Sequence, residues 1–168
     1  IAIGKAADSQ SGDNLVTLEV NRNRITGGPT GPDGIYNAAI QSFHPFIAYG
    51  NFVDTVNGTA FQNKTFNSRV ACNVATHIIG DGAHYNRLHG NNVWEYNLVR
   101  DSNVGIDIFM GAGVVFRGNV IHNTQYAGRI KNQGAGTTNL TIENNTFYAT
   151  TGWAGWIWDA SSSGALSN

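Results

Sequence analysis

Four side chains that can transfer protons or neutralise an anion recur at similar places along the chain. His84 and Asp107 each lie two residues after a glycine, and Arg129 and Lys131 follow a third glycine. Arginine and lysine can neutralise a carboxylate, and a histidine oriented by an aspartate can act as a base. We expect His84, Asp107 and Arg129 to share one outward position of successive repeats, as a candidate catalytic group. The alternative is a set of solvated polar residues on an exposed sheet.

A second group of polar residues lies three positions after a recurring asparagine. We expect this group to form an outward strip along a groove, in which Arg100, His122 and Tyr148 are the candidate substrate-binding residues. Arginine binds carboxylates, and an aromatic ring offers an apolar face with a polar tip. The strip consists of Asp54, Thr76, Arg100, His122 and Tyr148, and it is flanked by His77, Asp101 and Asn123.

A third group lies two positions before the same asparagine. It contains Glu95, Arg117 and Glu143 in consecutive repeats. Opposite charges about 5 Å apart on neighbouring strands attract each other. The pattern therefore predicts a series of exposed ion pairs, and the alternative is a pair of acidic residues that binds a sugar.

The segment TGWAGWIW, residues 151–158, holds three of the four tryptophans. In a strand, Trp156 and Trp158 share one face and Ile157 lies on the other. Exposed tryptophans would stack on sugar rings or on another protein, and buried ones would cover the end of the apolar core. Trp156 and Trp158 are therefore further candidates for substrate binding, with the cap or interface as the alternative.

The sequence does not predict a cofactor. Metal-binding spacings such as HExxH or paired CxxC do not occur, and the aspartates do not align with one another in the repeat. Calcium takes about six to eight oxygen ligands. We therefore expect neither a metal site nor another cofactor. Cys72 is the only cysteine, so an internal disulfide is excluded.

The elements that must position these residues follow a repeat centred on asparagine. The residue three positions before each asparagine is apolar in all six repeats, and so is the residue two positions after it. A repeat of this length indicates a solenoid or a related array. The asparagines are Asn23, Asn51, Asn73, Asn97, Asn119 and Asn145, with spacings of 28, 22, 24, 22 and 26 residues.

Short strands joined by Gly and Asn turns predict a right-handed parallel β-helix, a single all-β domain over residues 1–168. We expect six or seven turns stacked about 4.8 Å apart. Each recurring asparagine is expected to end a strand, to adopt the left-handed backbone of a corner and to bond the asparagine of the next turn. This internal ladder would explain why Asn145 stands between the apolar Ile142 and Phe147.

The phrases NLTIENNTFY at 139–148 and VVFRGNVIHN at 114–123 resemble the right-handed parallel β-helix superfamily, the pectate-lyase-like group. The resemblance covers residue 15 to about residue 160. The superfamily includes polysaccharide lyases, glycoside hydrolases, epimerases, phage tailspikes and surface adhesins. It implies an extracellular protein that binds or cleaves carbohydrate.

In a lyase acting on a uronate polymer, the resemblance gives each candidate catalytic residue a role. Arg129 or Lys131 would neutralise the carboxylate or act as the base. His84 is the alternative base, and Asp107 would orient it. Members that act as enzymes are usually longer than this chain, which counts against a complete enzyme.

The composition argues against several classes of partner. The net charge is −1, whereas binding to nucleic acid needs a basic face. No apolar run approaches the roughly 20 residues of a membrane span. With 41 % hydrophobic and 11 % aromatic residues, the chain is expected to fold. Its low charge of 12 %, with abundant Asn, Gly, Ser and Thr, suits an extracellular or cell-surface location.

The two ends of the sequence suggest an alternative function. A β-helix has open edges at both ends, and neither IAIGKAADSQSGDN nor SSSGALSN resembles a full cap. We expect either excision from a longer chain or end-to-end stacking of copies. Stacking would make the protein a structural subunit of a filament, spike or surface appendage. The expected partner is therefore a polysaccharide or a second copy of the chain.

Overall fold

The computed structural model describes residues 2–3, 18–27, 38–42, 44–80, 84–86, 90–108, 111–131 and 137–159. Every regular element in these ranges is a β-strand. No helix in the described ranges is long and apolar enough to cross a membrane. The strands are β1 (Ala2–Ile3), β2 (Leu18–Asn21), β3 (Arg24–Thr26), β4 (Ala38–Ser42), β5 (Phe46–Tyr49), β6 (Phe52–Val56), β7 (Thr59–Asn63), β8 (Arg69–Ala71), β9 (Val74–Ile78), β10 (His84–Asn86), β11 (Val93–Glu95), β12 (Leu98–Ile108), β13 (Gly111–Ala112), β14 (Val115–Arg117), β15 (Val120–Lys131), β16 (Thr137–Thr138), β17 (Thr141–Glu143), β18 (Thr146–Tyr148) and β19 (Trp153–Asp159).

All strands except β13 and β16 stack in parallel on three faces of a β-solenoid, and β13 and β16 pair with each other in a separate two-stranded sheet. Face 1 consists of β2, β5, β8, β11, β14 and β17. Face 2 consists of β3, β6, β9, the first parts of β12 and β15, and β18. Face 3 consists of β1, β4, β7, β10, the last parts of β12 and β15, and β19. The predicted parallel β-helix is confirmed at this level.

The number of turns differs from the expected six or seven. Four turns, over residues 46–131, have strands on all three faces and a full neighbouring turn on either side. The outer turns that contain β2 and β17 have a full neighbour on one side only. A count of six is reached only by including these two outer turns, so about four turns form the interior of the solenoid.

The apolar positions of the repeat form the core. The apolar residues of face 1 lie opposite those of face 2 across the interior of the solenoid, since side chains alternate between the two sides of a strand. Trp94 and Phe116 are fully buried and stacked, with ring centroids 5.8 Å apart and planes 12° apart. Burying a side chain of this size stabilises a fold by about 1.5–3 kcal/mol.

Left-handed residues turn the chain at two corners in each of the six turns, and four further left-handed residues, Asn67, Asn91, Gly113 and Asn139, lie at a third corner. The corner between faces 1 and 2 is formed by the residue before the recurring asparagine, not by the asparagine itself, which corrects the expected left-handed asparagine. The side chain of that asparagine is instead directed into the solenoid. The left-handed residues at this corner are Arg22, Gly50, Cys72, Tyr96, Gly118 and Asn144.

Four residues after each recurring asparagine, a second set of left-handed residues bends the chain at the far side of face 2. Non-glycine residues seldom adopt this conformation, because Cβ approaches the following carbonyl. This set, here called the corner row, consists of Gly27, Thr55, His77, Asp101, Asn123 and Ala149.

The six recurring asparagines are linked by hydrogen bonds along the axis of the solenoid. In each pair of adjacent turns, the backbone N–H and the Nδ2 of one asparagine donate to the Oδ1 of the next, at 2.8–3.1 Å. Nδ2 of Asn145 also donates to the carbonyl of Phe116 in the preceding turn, at 2.9 Å. These bonds satisfy amides that are otherwise cut off from water. We call this set the asparagine row.

Candidate binding face

The polar strip predicted on face 2 is aligned in the structure. Successive strands pair Asp54 with Thr76, Thr76 with Arg100, Arg100 with His122, and His122 with Tyr148. The residues before them in the strands, such as Val99 and Ile121, are buried in the core. Because side chains alternate along a strand, the strip lies on the outward side of face 2. Arg100 and Tyr148 are exposed there, Asp54 and His122 are partly exposed, and Thr76 is buried. The repeat therefore predicted the register of face 2 correctly.

At one end of the strip two aromatic rings lie on each other. The rings of His122 and Tyr148 are 4.2 Å apart between centroids, with an interplanar angle of 23°. Tyr148 is 49 % exposed. Stacking fixes the orientation of both rings, so their apolar faces and polar edges are held in place on the outside of the protein.

Next to this pair, Arg100 supplies a cation. Its side chain is 49 % exposed, and its Nε lies 3.7 Å from Oδ2 of Asp101 in the corner row. At this distance and exposure the ion pair is weak. Asp101 also accepts a hydrogen bond from Nδ2 of Asn123, at 2.6 Å. The guanidinium of Arg100 therefore remains available for a ligand, while Asp101 is held by its neighbour in the next turn.

The other end of the strip holds a histidine and an aspartate in contact. Nδ1 of His77, in the corner row, lies 2.8 Å from Oδ1 of Asp54 in the preceding turn. The hydrogen bond from His77 holds the pKa of Asp54 below its ordinary value, although partial burial acts in the opposite direction. Oγ1 of Thr76 lies 3.1 Å from the same nitrogen. The contacts orient the ring and leave its Nε2 for a ligand.

This contact was not predicted from the sequence. His77 was recognised only as a residue flanking the strip. Asp54 lies three positions after one recurring asparagine, and His77 lies four positions after the next. The repeat places these positions on adjacent turns, so their complementary types were the signal that could have revealed the pair.

The candidate catalytic group is only partly brought together. Asp107 and Arg129 are paired in register on face 3, and their side chains form an ion pair. His84 is paired with Ile106, so it does not share the position of Asp107, which belongs to Tyr85. The expectation of one shared position for all three residues is therefore wrong for His84. The side chains of His84 and Lys131 lie outside the described part of the structure.

Asp107 lies between the core residues Ile106 and Ile108, so it occupies an outward position, but it is fully buried and not solvated as expected. It belongs to a column of face 3 in which Gln41 and Gln62 are register partners and are likewise buried. Arg129 is 23 % exposed and lies against the Asp107 carboxylate. A buried carboxylate held by an arginine is a structural ion pair rather than a base or an acid presented to solvent.

The two tryptophan candidates lie on the last strand of face 3. Trp156 is paired with Gly128 and Trp158 with Ile130. Their side chains lie outside the described part, so both interpretations of these residues stay predictions.

Glu95 on face 1 lies between two arginines and is only 1 % exposed. Nε of Arg69 donates to its Oε1 at 2.5 Å, and Nε of Arg117 donates to its Oε2 at 2.6 Å. Burial acts to raise the pKa of Glu95, but the hydrogen bonds from Arg117 and Arg69 outweigh it and keep the pKa low. The expected exposed ion pairs are therefore corrected to a buried carboxylate with both oxygens occupied.

Glu143, the third member of this group, interacts less strongly with Arg117 than Glu95 does. The pKa of Arg117 is raised mainly by the hydrogen bond with Glu95, and Glu143 adds only a weaker attraction. Glu95 is buried and both of its oxygens are bonded to arginines, so the alternative of a sugar-binding pair with the exposed Glu143 is not supported by its geometry.

The described residues contain no group of three or more His, Cys, Asp or Glu side chains placed to hold a metal ion. Comparison of the chain with protein-family models, with curated proteins and with solved structures gives no match. The candidate site on face 2 therefore consists of the cation of Arg100, the stacked rings of His122 and Tyr148, and the oriented ring of His77.

Proposed function

We propose that this protein is extracellular and binds an extended, negatively charged polysaccharide along the strip of face 2. The observation that carries the proposal is the alignment of Arg100, His122 and Tyr148 in three consecutive turns, two of them stacked as rings. The ligand would lie along the axis of the solenoid, crossing one strand per residue of the strip.

The residue types of the strip match such a ligand. An arginine recognises a carboxylate through two parallel N–H donors. A tyrosine offers an apolar ring face and a hydroxyl to a sugar. His77, Asp101 and Asn123 add donors and acceptors beside them in the corner row. The resemblance to polysaccharide lyases supports a uronate as the charged sugar.

The proposal concerns binding because the two described members of the candidate catalytic group are engaged elsewhere. Asp107 and Arg129 lie on face 3, whereas the strip lies on face 2. Their charges offset each other, and Asp107 is buried. The Asp107–Arg129 ion pair therefore supports the fold, and ligand recognition would depend on the residues of the strip.

The test is a calorimetric titration with a hexamer of galacturonate and with a neutral glucose hexamer of the same length. We expect the charged hexamer alone to bind, with an affinity that falls as salt is added, because an exposed arginine is screened. Arg100→Gln should weaken binding about tenfold, which corresponds to about 1.4 kcal/mol.

Arg22→Gln is the matched control, since Arg22 is also exposed but lies at the corner between faces 1 and 2. The control should bind like the wild-type protein. Absence of binding to either hexamer, or equal loss in both variants, would contradict the proposal. Cleavage of the hexamer during the titration would extend the function from binding to catalysis.

A further inference from the structure

The outward side of face 2 carries a second set of aligned residues beside the strip, one position after each recurring asparagine. In four consecutive turns the residue at this position is apolar, and the strands pair these residues in register. Each of them lies between a buried asparagine and a buried core residue, so its side chain is directed outward. The set, here called the apolar column, consists of Phe52, Val74, Leu98 and Val120.

All four side chains of the apolar column are partly exposed, whereas the core residues one position later are buried. At the outward position of face 1 that lies four residues before the recurring asparagine, the apolar run is interrupted. There the exposed Arg69 lies between Ile47 and Val93. A ligand that covers the apolar column would gain the free energy of burying apolar surface over four turns, and this position of face 1 does not offer the same length.

The apolar column and the strip lie on the same strands. Leu98 and Arg100 belong to β12, and Val120 and His122 belong to β15. In each strand the two side chains are directed outward and are two positions apart, roughly 6.6 Å. A sugar that binds the guanidinium of Arg100 through its carboxylate would therefore also lie against Leu98 and Val120.

A second cation lies at one end of the apolar column. Arg24 occupies the position of Phe52 in the preceding turn, and its guanidinium carbon lies 5.0 Å from the centroid of the Phe52 ring. Stacking on the ring holds the guanidinium without neutralising its charge, and Arg24 is exposed. Together with Arg100 in the strip, the outward side of face 2 combines an apolar surface with positive charge. The complementary ligand therefore carries apolar groups as well as carboxylates.

Building on the proposed function, we propose that the polysaccharide bears short acyl esters, such as acetyl groups, and that the apolar column binds them. The carboxylate of each sugar must remain free, because a methyl ester there would remove the charge that Arg100 recognises. The apolar group therefore belongs on a ring hydroxyl. An acetyl group is small enough for a column one side chain wide, and the spacing of about 4.8 Å between turns would repeat the contact along the polymer.

The test compares two hexamers of galacturonate by calorimetric titration of the full chain. One hexamer is unsubstituted, and the other is acetylated at its ring hydroxyls with all carboxylates free. The double variant Leu98→Thr, Val120→Thr makes two positions of the apolar column polar. The matched control, Val93→Thr, Val115→Thr, changes partly exposed outward residues of face 1 in the same two turns. Circular dichroism verifies that both variants are folded.

We expect the wild-type protein to bind the acetylated hexamer at least fourfold more tightly than the unsubstituted one, which is the gain from burying about one methyl group. The double variant of the apolar column should bind both hexamers equally, with an affinity close to that of the wild-type protein for the unsubstituted hexamer. The control variant should keep the wild-type preference for the acetylated hexamer.

If the wild-type protein binds the acetylated hexamer no more tightly than the unsubstituted one, the role of the apolar column is overturned and polysaccharide binding by the strip still stands. A preference that both double variants lose equally would overturn the role of the column as well. Failure of both hexamers to bind would contradict the proposed function, and with it the role of the column.

Discussion

His122 and Tyr148 lie one above the other in adjacent turns of the solenoid, with ring centroids 4.2 Å apart. The contact joins two strands of face 2 that are paired in register, β15 and β18. Because both rings are held by this stack, the ligand does not have to order them when it binds, and less conformational entropy is lost. The stack therefore orders two of the three residues proposed to bind the ligand.

Tyr148→Ala should reduce affinity for the galacturonate hexamer about two- to tenfold, since an aromatic contact of this kind contributes roughly 0.5–1.5 kcal/mol. Tyr148→Phe should retain most of the affinity if the ring face rather than the hydroxyl makes the contact. Tyr96→Ala is the control, because Tyr96 is 60 % exposed but lies at the corner between faces 1 and 2, outside the strip. Isothermal calorimetry measures all three. Equal losses in the Tyr96 and Tyr148 variants would argue against a specific strip.

Arg129→Gln should lower the stability of the fold and leave ligand affinity unchanged, whereas Arg100→Gln should lower ligand affinity. It removes the cation beside the buried Asp107, which should destabilise the fold by about 3–5 kcal/mol. Because the pair lies on face 3, affinity for the hexamer should not change at a temperature where the variant is folded. Urea denaturation and calorimetry of the same samples separate the two effects. A loss of affinity without a loss of stability would show that Arg129 contributes to ligand binding.

Asn119→Leu should destabilise the solenoid by about 3 kcal/mol or more. The substitution removes the acceptor for two donors of Asn97 and the donor to the carbonyl of Trp94, all in a buried environment. Each buried polar group left without a partner costs about 1–3 kcal/mol. Asn21→Leu is the control, because Asn21 is exposed and bonds only the nearby Glu19 among described side chains. Urea denaturation should show little change for this control.

Stability should fall as the pH is lowered through the titration of Glu95. Its pKa in the folded protein lies below the ordinary value of 4.5, so the stability it contributes is present above that value and is lost as pH falls through the folded pKa. Glu95→Gln should lower stability at neutral pH by about 1–3 kcal/mol and flatten the loss in acid.

Thermal melting from pH 7 to pH 2 measures this effect. Glu143→Gln is the control, since Glu143 is exposed in the same column of face 1. Asp54 contributes its own loss in acid, because its pKa is also lowered. The informative quantity is therefore the difference between the two variants, and identical pH profiles would count against the buried ion pair.

The repeat predicted faces 1 and 2 well because their strands keep a fixed distance from the recurring asparagine. Apolar residues at fixed positions must point inward, so the alignment of Arg100 with His122 followed directly. On face 3 the distance changes: Asp107 and Arg129 lie ten residues after their asparagines, but Tyr85 lies twelve residues after Asn73. His84 was therefore assigned to the wrong column, and a shift of one residue reverses the face of a strand.

Burial of the charged residues was not predictable from spacing. Glu95 occupies an outward position, but Arg69 and Arg117 from the adjacent turns cover it. Asp107 likewise stands in a column whose glutamines are buried. Whether an outward residue is exposed depends on the lengths and directions of its neighbours' side chains.

The position of the left-handed residue at the corner between faces 1 and 2 was predicted one residue too late. Both Asn144 and Asn145 tolerate the left-handed conformation, and the sequence does not show which of the two adopts it.

Since every turn contacts mainly the turns beside it, this molecule behaves as a one-dimensional array, with no single centre on which its integrity depends. Opening should begin at the outer turns and spread inward, and a lesion in one turn should be felt by its two neighbours and hardly at all beyond them. Length then becomes a property that can change by whole units: inserting or deleting one repeat alters the reach of the rod without disturbing the rest.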